Sequence, residues 1–359
     1  MIYLIDTIGN ETGMNLYDKA FHDEFRKKNV DVVTVSNFEG EDVIPLFCNF
    51  YHGGGAKKIM GLVMSWIKLL CLKIKNNKDV YVYQSFGLRF IDIIFLSLFA
   101  RRKKFFVVVH DVFEITDNQN GGFKNKIQRY IYNHWIRNAI CHSEEAIETL
   151  KIEVGFRGNV LYYPHFRYNF NKDFNESDII DEVKRSIAPD KVNMLFFGQI
   201  RMTKGIDVLI DAFKDISNMD NINIIVAGSD KSGIMNDVIL PENVTAICRY
   251  IKDDELNYLF TKSQVVLLPY KEIYQSGVLE TVVYFQKFAI MSDVRAFREF
   301  LEKYPSFGIT FSPNTGAALA ECIKRVTSMS YMYATLDIQK YEDNHDVDIL
   351  KTQMDKVLV

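Results

Sequence analysis

The chain has 359 residues, 48% hydrophobic and 25% charged, with a formal net charge of −3; that is more than one ordinary core fills, and the balance excludes a disordered chain. Its cysteines, Cys48, Cys71, Cys141, Cys248 and Cys322, are scattered and lack CxxC spacing, which argues against a disulfide framework or a zinc site and for a reducing cytoplasm. The acidic balance and the lack of a nucleic-acid module argue against nucleic acid; the start, MIYLIDTIGNETG, reads as a strand rather than a signal peptide, and Lys68 and Asp92 interrupt the two longest apolar stretches.

Along the chain, short apolar runs alternate with longer periodic ones. Ile2 to Ile5 predicts a strand, Tyr17 to Lys28 a helix, Val30 to Val35 and Val80 to Tyr83 strands, Leu88 to Ala100 a helix and Phe105 to His110 a strand. Lys126 to Arg137 then reads as a helix, Ala139 to Cys141 as a short strand, and Glu144 to Val154 as a helix with Ser143 as its N-cap. Tyr162 to Ser177, YYPHFRYNFNKDFNES, is aromatic, polar and non-periodic, and reads as the connection between two halves. The same alternation resumes from Asn193 to about Val326, with strands at Met194 to Phe197 and Val265 to Leu268. Such alternation means parallel sheets covered on both faces: an α/β chain of two doubly wound, Rossmann-like domains facing across a cleft.

Residues 57–104 hold eleven Lys or Arg against Asp79 and Asp92, mixed with Met60, Leu62, Trp66, Ile67, Leu69 and Leu70. Two readings are open: a basic helix whose apolar face meets an anionic membrane, or a core-facing helix with a solvated lysine face. Gly53 to Gly55 has no strand leading cleanly into it and reads as a flexible loop rather than a phosphate loop.

Two segments carry the chemistry. EIYQSGVLE, Glu272 to Glu280, follows the apolar run Val265 to Leu268 and Pro269, and Gly277 to Phe285 can continue as a helix capped by Ser276. A helix mouth at the carboxyl end of a strand offers backbone N–H groups and a positive dipole end to a diphosphate. Glu280 then suits ribose hydroxyls and Glu272 those of a sugar ring. The second segment, GQIRMTKGIDVLIDAF from Gly198 to Phe213, places Arg201 and Lys204 after a strand, where both cations can face one anion. Asp346-Val347-Asp348 reads as an acidic helix start, not a metal motif.

The Glu272/Glu280 spacing and the Arg201/Lys204 pair resemble those of retaining glycosyltransferases with the GT-B fold, glycosyltransferase family 4. The resemblance implies an acceptor-binding domain over residues 1–165, a nucleotide-sugar domain over 166–340, and a C-terminal helix in 341–359 crossing back to the first. It implies Arg201 and Lys204 on the donor pyrophosphate, with Gly198, Ser276, Gly277 and Val278 around it, Glu272 on the sugar, Glu280 on the ribose, and Tyr250 and Ile251 beside the base. It also points to His110 near the donor sugar, with Asp111 adjacent, and to Gly13, Met14 and Asn15 for contacts to phosphate or acceptor. The implied activity is transfer from a UDP- or GDP-sugar to a hydroxyl of a glycan or lipid-linked oligosaccharide with retention, in cell-surface polysaccharide synthesis. No metal or other cofactor is required. A non-catalytic GT-B-like partner subunit and a sugar-nucleotide epimerase of similar fold are the competing readings.

Overall fold

The computed structural model describes residues 1–9, 14–48, 55–85, 96, 104–112, 122–170, 174–328 and 338–358. They form two compact units: the first draws on 1–168 and Asp343–Val359, the second on Asn169–Glu342.

The first unit is built on seven strands, β1 (Ile2–Ile5), β2 (Val32–Val35), β3 (Val43–Ile44), β4 (Val80–Ser85), β5 (Phe105–Val109), β6 (Asn138–Cys141) and β7 (Asn159–Tyr162). They lie in the order β3-β2-β1-β4-β5-β6-β7, every pairing parallel. Every residue of β1, β5 and β6 is buried, as a sheet covered on both faces requires. The helices between them include α1 (Asn15–Lys27), α2 (Ala56–Lys75), α3 (Gly122–His134) and α4 (Glu144–Ile152). Ser143 caps α4 by accepting the Ala146 N–H at 3.1 Å. The helix expected at Leu88 to Ala100 lies, apart from Leu96, outside the described residues, as does Gly53.

The second unit has six parallel strands, β8 (Val192–Phe197), β9 (Ile222–Ala227), β10 (Val244–Ile247), β11 (Val265–Leu268), β12 (Phe288–Ser292) and β13 (Gly308–Phe311), ordered β10-β9-β8-β11-β12-β13. Its helices are α5 (Asp181–Arg185), α6 (Ile206–Ile216), α7 (Asp253–Lys262), α8 (Gly277–Tyr284), α9 (Arg295–Lys303), α10 (Gly316–Thr327) and α11 (Ile338–Asn344). Helix α6 buries Ile206, Leu209, Ala212, Phe213 and Ile216 in one cluster with Met194 and Phe196 of β8 and Leu319 and Ile323 of α10. Each fully buried aliphatic side chain there contributes about 1.5–3 kcal/mol. The last helix, α12 (Val347–Leu358), belongs to the first unit, where the Gln353 amide bonds both backbone groups of Tyr162 in β7, at 3.1 and 2.8 Å.

The stretch read as a connection begins inside β7. Its aromatics anchor in the two cores: Phe166 packs against Phe21, Phe25 and Tyr163, and Phe170 against Tyr284 and Phe285. In each sheet the opening strand is central and later strands are added to one side and then the other. The order reverses between β1 and β4 in the first sheet and between β8 and β11 in the second. At such a reversal the loops leaving the carboxyl ends of neighbouring strands diverge to opposite faces and leave a crevice.

Candidate functional site

In the second unit, the two singled-out segments follow β8 and β11, the strands that flank the reversal. Gly198 follows β8 with φ +116°, and a side chain there would meet Val278 in the first turn of α8 at 3.5 Å. Gly228, after β9, lies so close that a Cβ would stand 1.6 Å from the Gly198 carbonyl oxygen. The Arg201–Gly205 loop is laid onto the loop after β11: the Lys271 N–H donates to the Thr203 carbonyl at 3.0 Å. Gly205, at φ +70°, approaches the Pro269 carbonyl so nearly that a Cβ would sit 1.8 Å from its oxygen. Only glycine combines that left-handed backbone with that contact.

Half-buried Lys204 holds its ammonium 3.9 Å from the centre of the Tyr270 ring, a cation–π contact. Half-buried Arg201 donates to Gln199 Oε1 at 3.2 Å. Tyr270 is itself buried, which pushes its phenol well above the usual range, with Ser276 opposing the shift. Ser276 caps α8, its hydroxyl accepting the Leu279 N–H at 3.2 Å. The two glutamates differ in surroundings. Glu272 is exposed on the loop, whereas Glu280 is buried in α8 and its Oε2 accepts a short hydrogen bond from the Tyr341 hydroxyl of α11. Beyond β10, Tyr250 is 71% exposed while Ile251 is buried. Arg249 is committed elsewhere, paired with Glu255 at 2.8 Å and Glu182 at 2.9 Å. Gly198, Arg201, Lys204, Tyr250, Ile251, Glu272, Ser276, Gly277, Val278 and Glu280 therefore lie at or just beyond the carboxyl edge of one parallel sheet. Two cations and a helix mouth suited to an anion stand at its reversal.

In the first unit, His110 follows β5 and joins a buried polar chain at the other reversal. Asp6, directly after β1, accepts the Ile8 and Gly9 N–H groups at 2.8 and 3.0 Å. Burial and the neighbouring Asp6 carboxylate push the Asp18 carboxyl well above its usual range. The Gln84 amide donates to Asp18 Oδ1, which turns its Oε1 towards His110 Nε2 at 2.9 Å. The chain thereby assigns the His110 proton to Nε2. Asp6, Asp18, Gln84 and His110 are at most 2% exposed. Behind them the Tyr17 hydroxyl donates to His142 Nε2 at 2.9 Å, and His142 Nδ1 donates to the Tyr163 carbonyl at 2.8 Å. Burial pulls His142 down to about 4 and, with His142 beside it, His165 to about 3.

Asp111 is half-buried beside His110. Met14 stands at the N-cap of α1 without a side-chain cap, and Asn15 opens the helix. Gly13 lies outside the described residues. Asp346 accepts the Asp348 N–H at 3.0 Å and Lys28 bridges both carboxylates, the geometry of an acidic helix start.

The geometry adds residues that the sequence did not single out: Tyr270 beneath Lys204, Tyr341 on Glu280, Gly205 and Gly228 at the close backbone approaches, and Asp6, Asp18 and Gln84 behind His110. Tyr270 carries a signal in the sequence, as the residue after the Pro that ends an apolar run. Tyr341 carries none, standing 61 positions beyond its partner.

Residues 178–343 match the family model described as glycosyl transferases group 1. A GDP-mannose:glycolipid 4-beta-D-mannosyltransferase of Xanthomonas campestris pv. campestris is 26% identical over 91 residues, 24% of this chain and 26% of that protein, so the chain matches about a quarter of this curated relative's length. Among solved structures, sucrose-phosphate synthase from Thermosynechococcus elongatus superposes with a TM-score of 0.73 at 15% identity, covering 99% of this chain and 97% of that one. Anabaena Alr3699/HepE, solved in complex with UDP-glucose, gives 0.67 at 14% identity, covering 99% and 98%. At these identities the likeness is one of fold.

Proposed function

We propose that the protein moves a sugar from a nucleoside diphosphate sugar, UDP- or GDP-linked, to a hydroxyl of a glycan or lipid-linked acceptor, a reading supported by the match of residues 178–343 to glycosyl transferases group 1 within a chain of GT-B fold. What supports this most is that Arg201 and Lys204 follow β8 and the Ser276-capped mouth of α8 follows β11, the two strands between which the order of the second sheet reverses. Such preorganised positive groups stabilise the charge that develops on a departing diphosphate. Glu280 takes the ribose hydroxyls, Glu272 the sugar, and Tyr250 with Ile251 the base. In this reading residues 166–340 hold the donor and residues 1–165 the acceptor, with His110 facing the donor sugar. The bond from the anomeric carbon to the diphosphate breaks as the acceptor oxygen attacks from the same face. The configuration is retained, and the hydroxyl proton passes to a diphosphate oxygen.

The setting is cell-surface polysaccharide synthesis at the cytoplasmic face of a membrane, in line with a relative whose name specifies a glycolipid acceptor. No helix among the described residues is long and apolar enough to cross a membrane. Peripheral contact with an anionic membrane through residues 57–104 is part of the same proposal.

A thermal-shift panel of UDP-, GDP-, ADP- and dTDP-sugars tests it. At a hundredfold excess over its dissociation constant the donor adds about 2.7 kcal/mol, and raises the melting temperature by roughly 5–11 °C at about 2–4 °C per kcal/mol. If no sugar nucleotide stabilises the protein, the reading fails. Conversion of the donor sugar without acceptor would identify an epimerase, and binding without any turnover a partner subunit.

A further inference from the structure

Helix α2 is apolar on two faces. Its buried residues are Leu62, Ser65, Trp66, Leu69 and Lys73, and Trp66 meets the Phe47 and Tyr83 rings at 5.8 and 6.1 Å. At about 100° per residue, Met60, Met64, Ile67, Cys71 and Ile74 fall within an arc of about 80° on the opposite side. There Met60 is 62%, Met64 46%, Ile67 42% and Ile74 72% exposed, and Cys71 is exposed as well. A helix lying on a soluble core carries its charges where these side chains stand. Lys73 meanwhile points inward, 5.7 and 5.5 Å from the Tyr81 and Phe105 ring centres, so a cation is inside while isoleucines and methionines are outside.

Lys57, Lys68 and Lys75 share one shoulder of the outer stripe, and none of the 20 residues of the helix is acidic. Just past its end, exposed Lys104 donates to the carbonyl of exposed Lys78 at 2.5 Å, extending the basic edge. A second copy of the chain docking antiparallel here about a twofold axis would bring the lysines of both copies to one side of the contact. An anionic lipid surface satisfies both features, taking the apolar side chains at the acyl boundary and the ammonium groups among lipid phosphates.

We propose that the outer face of α2 docks on an anionic bilayer, with Met60, Met64, Ile67 and Ile74 entering the headgroup–acyl boundary and Lys57, Lys68 and Lys75 meeting lipid phosphates. This deepens the membrane contact of the preceding reading and is independent of the donor site.

The test is flotation of the full chain with phosphatidylcholine vesicles and with vesicles that also contain phosphatidylglycerol. The wild type floats with the anionic vesicles and less with neutral ones. A variant with Met60, Met64, Ile67 and Ile74 changed to Ser loses at least about tenfold in partition while keeping the wild-type melting temperature. Changing Lys57, Lys68 and Lys75 to Gln gives a similar loss and flattens the salt dependence. Equal flotation of the serine variant and the wild type overturns the proposal. So does a wild type that ignores vesicles but sediments as a dimer, with the serine variant monomeric, since a second copy is then the occupant. Glu280→Ala, which abolishes the donor thermal shift if the preceding reading holds, leaves flotation unchanged, so the two readings fail separately.

Discussion

Replacing Tyr341 by Phe removes one hydroxyl from the interior of the second unit and leaves the ring contacts with Tyr304, Phe307 and Phe300 in place, at 5.1, 6.1 and 6.4 Å. The lost hydroxyl is a donor to Glu280 Oε2, and that glutamate is only 7% exposed, so water cannot readily replace it. A hydrogen bond to an ionised acceptor contributes about 1.5–3 kcal/mol, and a domain of this size loses about 2–4 °C per kcal/mol, so the melting temperature falls by roughly 3–12 °C. If Glu280 binds the donor ribose, a carboxylate no longer held by Tyr341 must be ordered by the ligand, and the dissociation constant for UDP or GDP rises about tenfold, or about 1.4 kcal/mol. Calorimetric melting and titration with the nucleotide read the two effects. In the double variant, Tyr341→Phe adds little to the affinity loss of Glu280→Ala, because its partner is gone. Wild-type melting and affinity in Tyr341→Phe, or fully additive losses in the double variant, would refute the reasoning.

Arg201→Ala and Lys204→Ala each weaken nucleoside diphosphate binding by about 10–100-fold through the loss of a charge-assisted bond, with circular dichroism unchanged; wild-type turnover in either variant removes that residue from the site. Gly205→Ala forces a left-handed alanine, about 1–2 kcal/mol, and also drives a Cβ against the Pro269 carbonyl. Gly155→Ala, at φ +74° with its nearest neighbour 3.8 Å away, costs only the first part, so equal melting temperatures for the two would discount the contact. The pH dependence follows from His142 and His165, depressed to about 4 and about 3. The unfolded chain takes up these protons near pH 6.5 and the folded chain does not, so stability is full above that pH and falls as the pH drops towards 4, by up to about 1.4 kcal/mol per unit for each histidine. Urea midpoints from pH 7 to 4.5 check this, and a slope unchanged in His165→Gln contradicts it. Asp18 has the opposite sense: its raised pKa costs the native state increasingly as pH rises above the ordinary carboxylate range, so Asp18→Asn gains on the wild type as the pH is raised from that range. A difference in melting temperature that does not change with pH would contradict a raised Asp18 pKa.

The sheets could be read where burial on both faces leaves no room for a polar residue. Ile2–Ile5, Phe105–Val109 and Val265–Leu268 are unbroken apolar runs, buried throughout, and the expected strands fall on them. The edges could not be read in the same way. β3, β7, β10 and β13 each end a sheet, and their exposed or half-covered residues, such as Asn159, Thr245 and Thr310, dilute the apolar signal that marks a central strand. Helix α8 could be placed because its start is a local event: Ser276 caps a backbone N–H three residues on.

The same distinction divides the candidate site. Arg201, Lys204, Ser276 and Glu280 stand within a turn or two of a strand end, and a βα loop puts such neighbours at the sheet edge whatever the rest of the chain does. Gln84 behind His110, Asp18 beside Asp6 and Tyr341 on Glu280 come from distant elements, so their roles depend on the register of the sheet and the seat of a helix. Helix α2 joins the two cases. Leu62, Trp66 and Leu69 have helical spacing, and so do Met60, Met64, Ile67 and Ile74, so periodicity alone cannot say which arc meets the core. The fold decides by seating Trp66 against Phe47 and Tyr83. Once that arc is taken, the second is left exposed, while Lys57, Lys68 and Lys75 lie along its shoulder. The core-facing reading is met by the arc of Leu62, Trp66 and Leu69, and the exposed arc is the one that the proposed membrane contact would use.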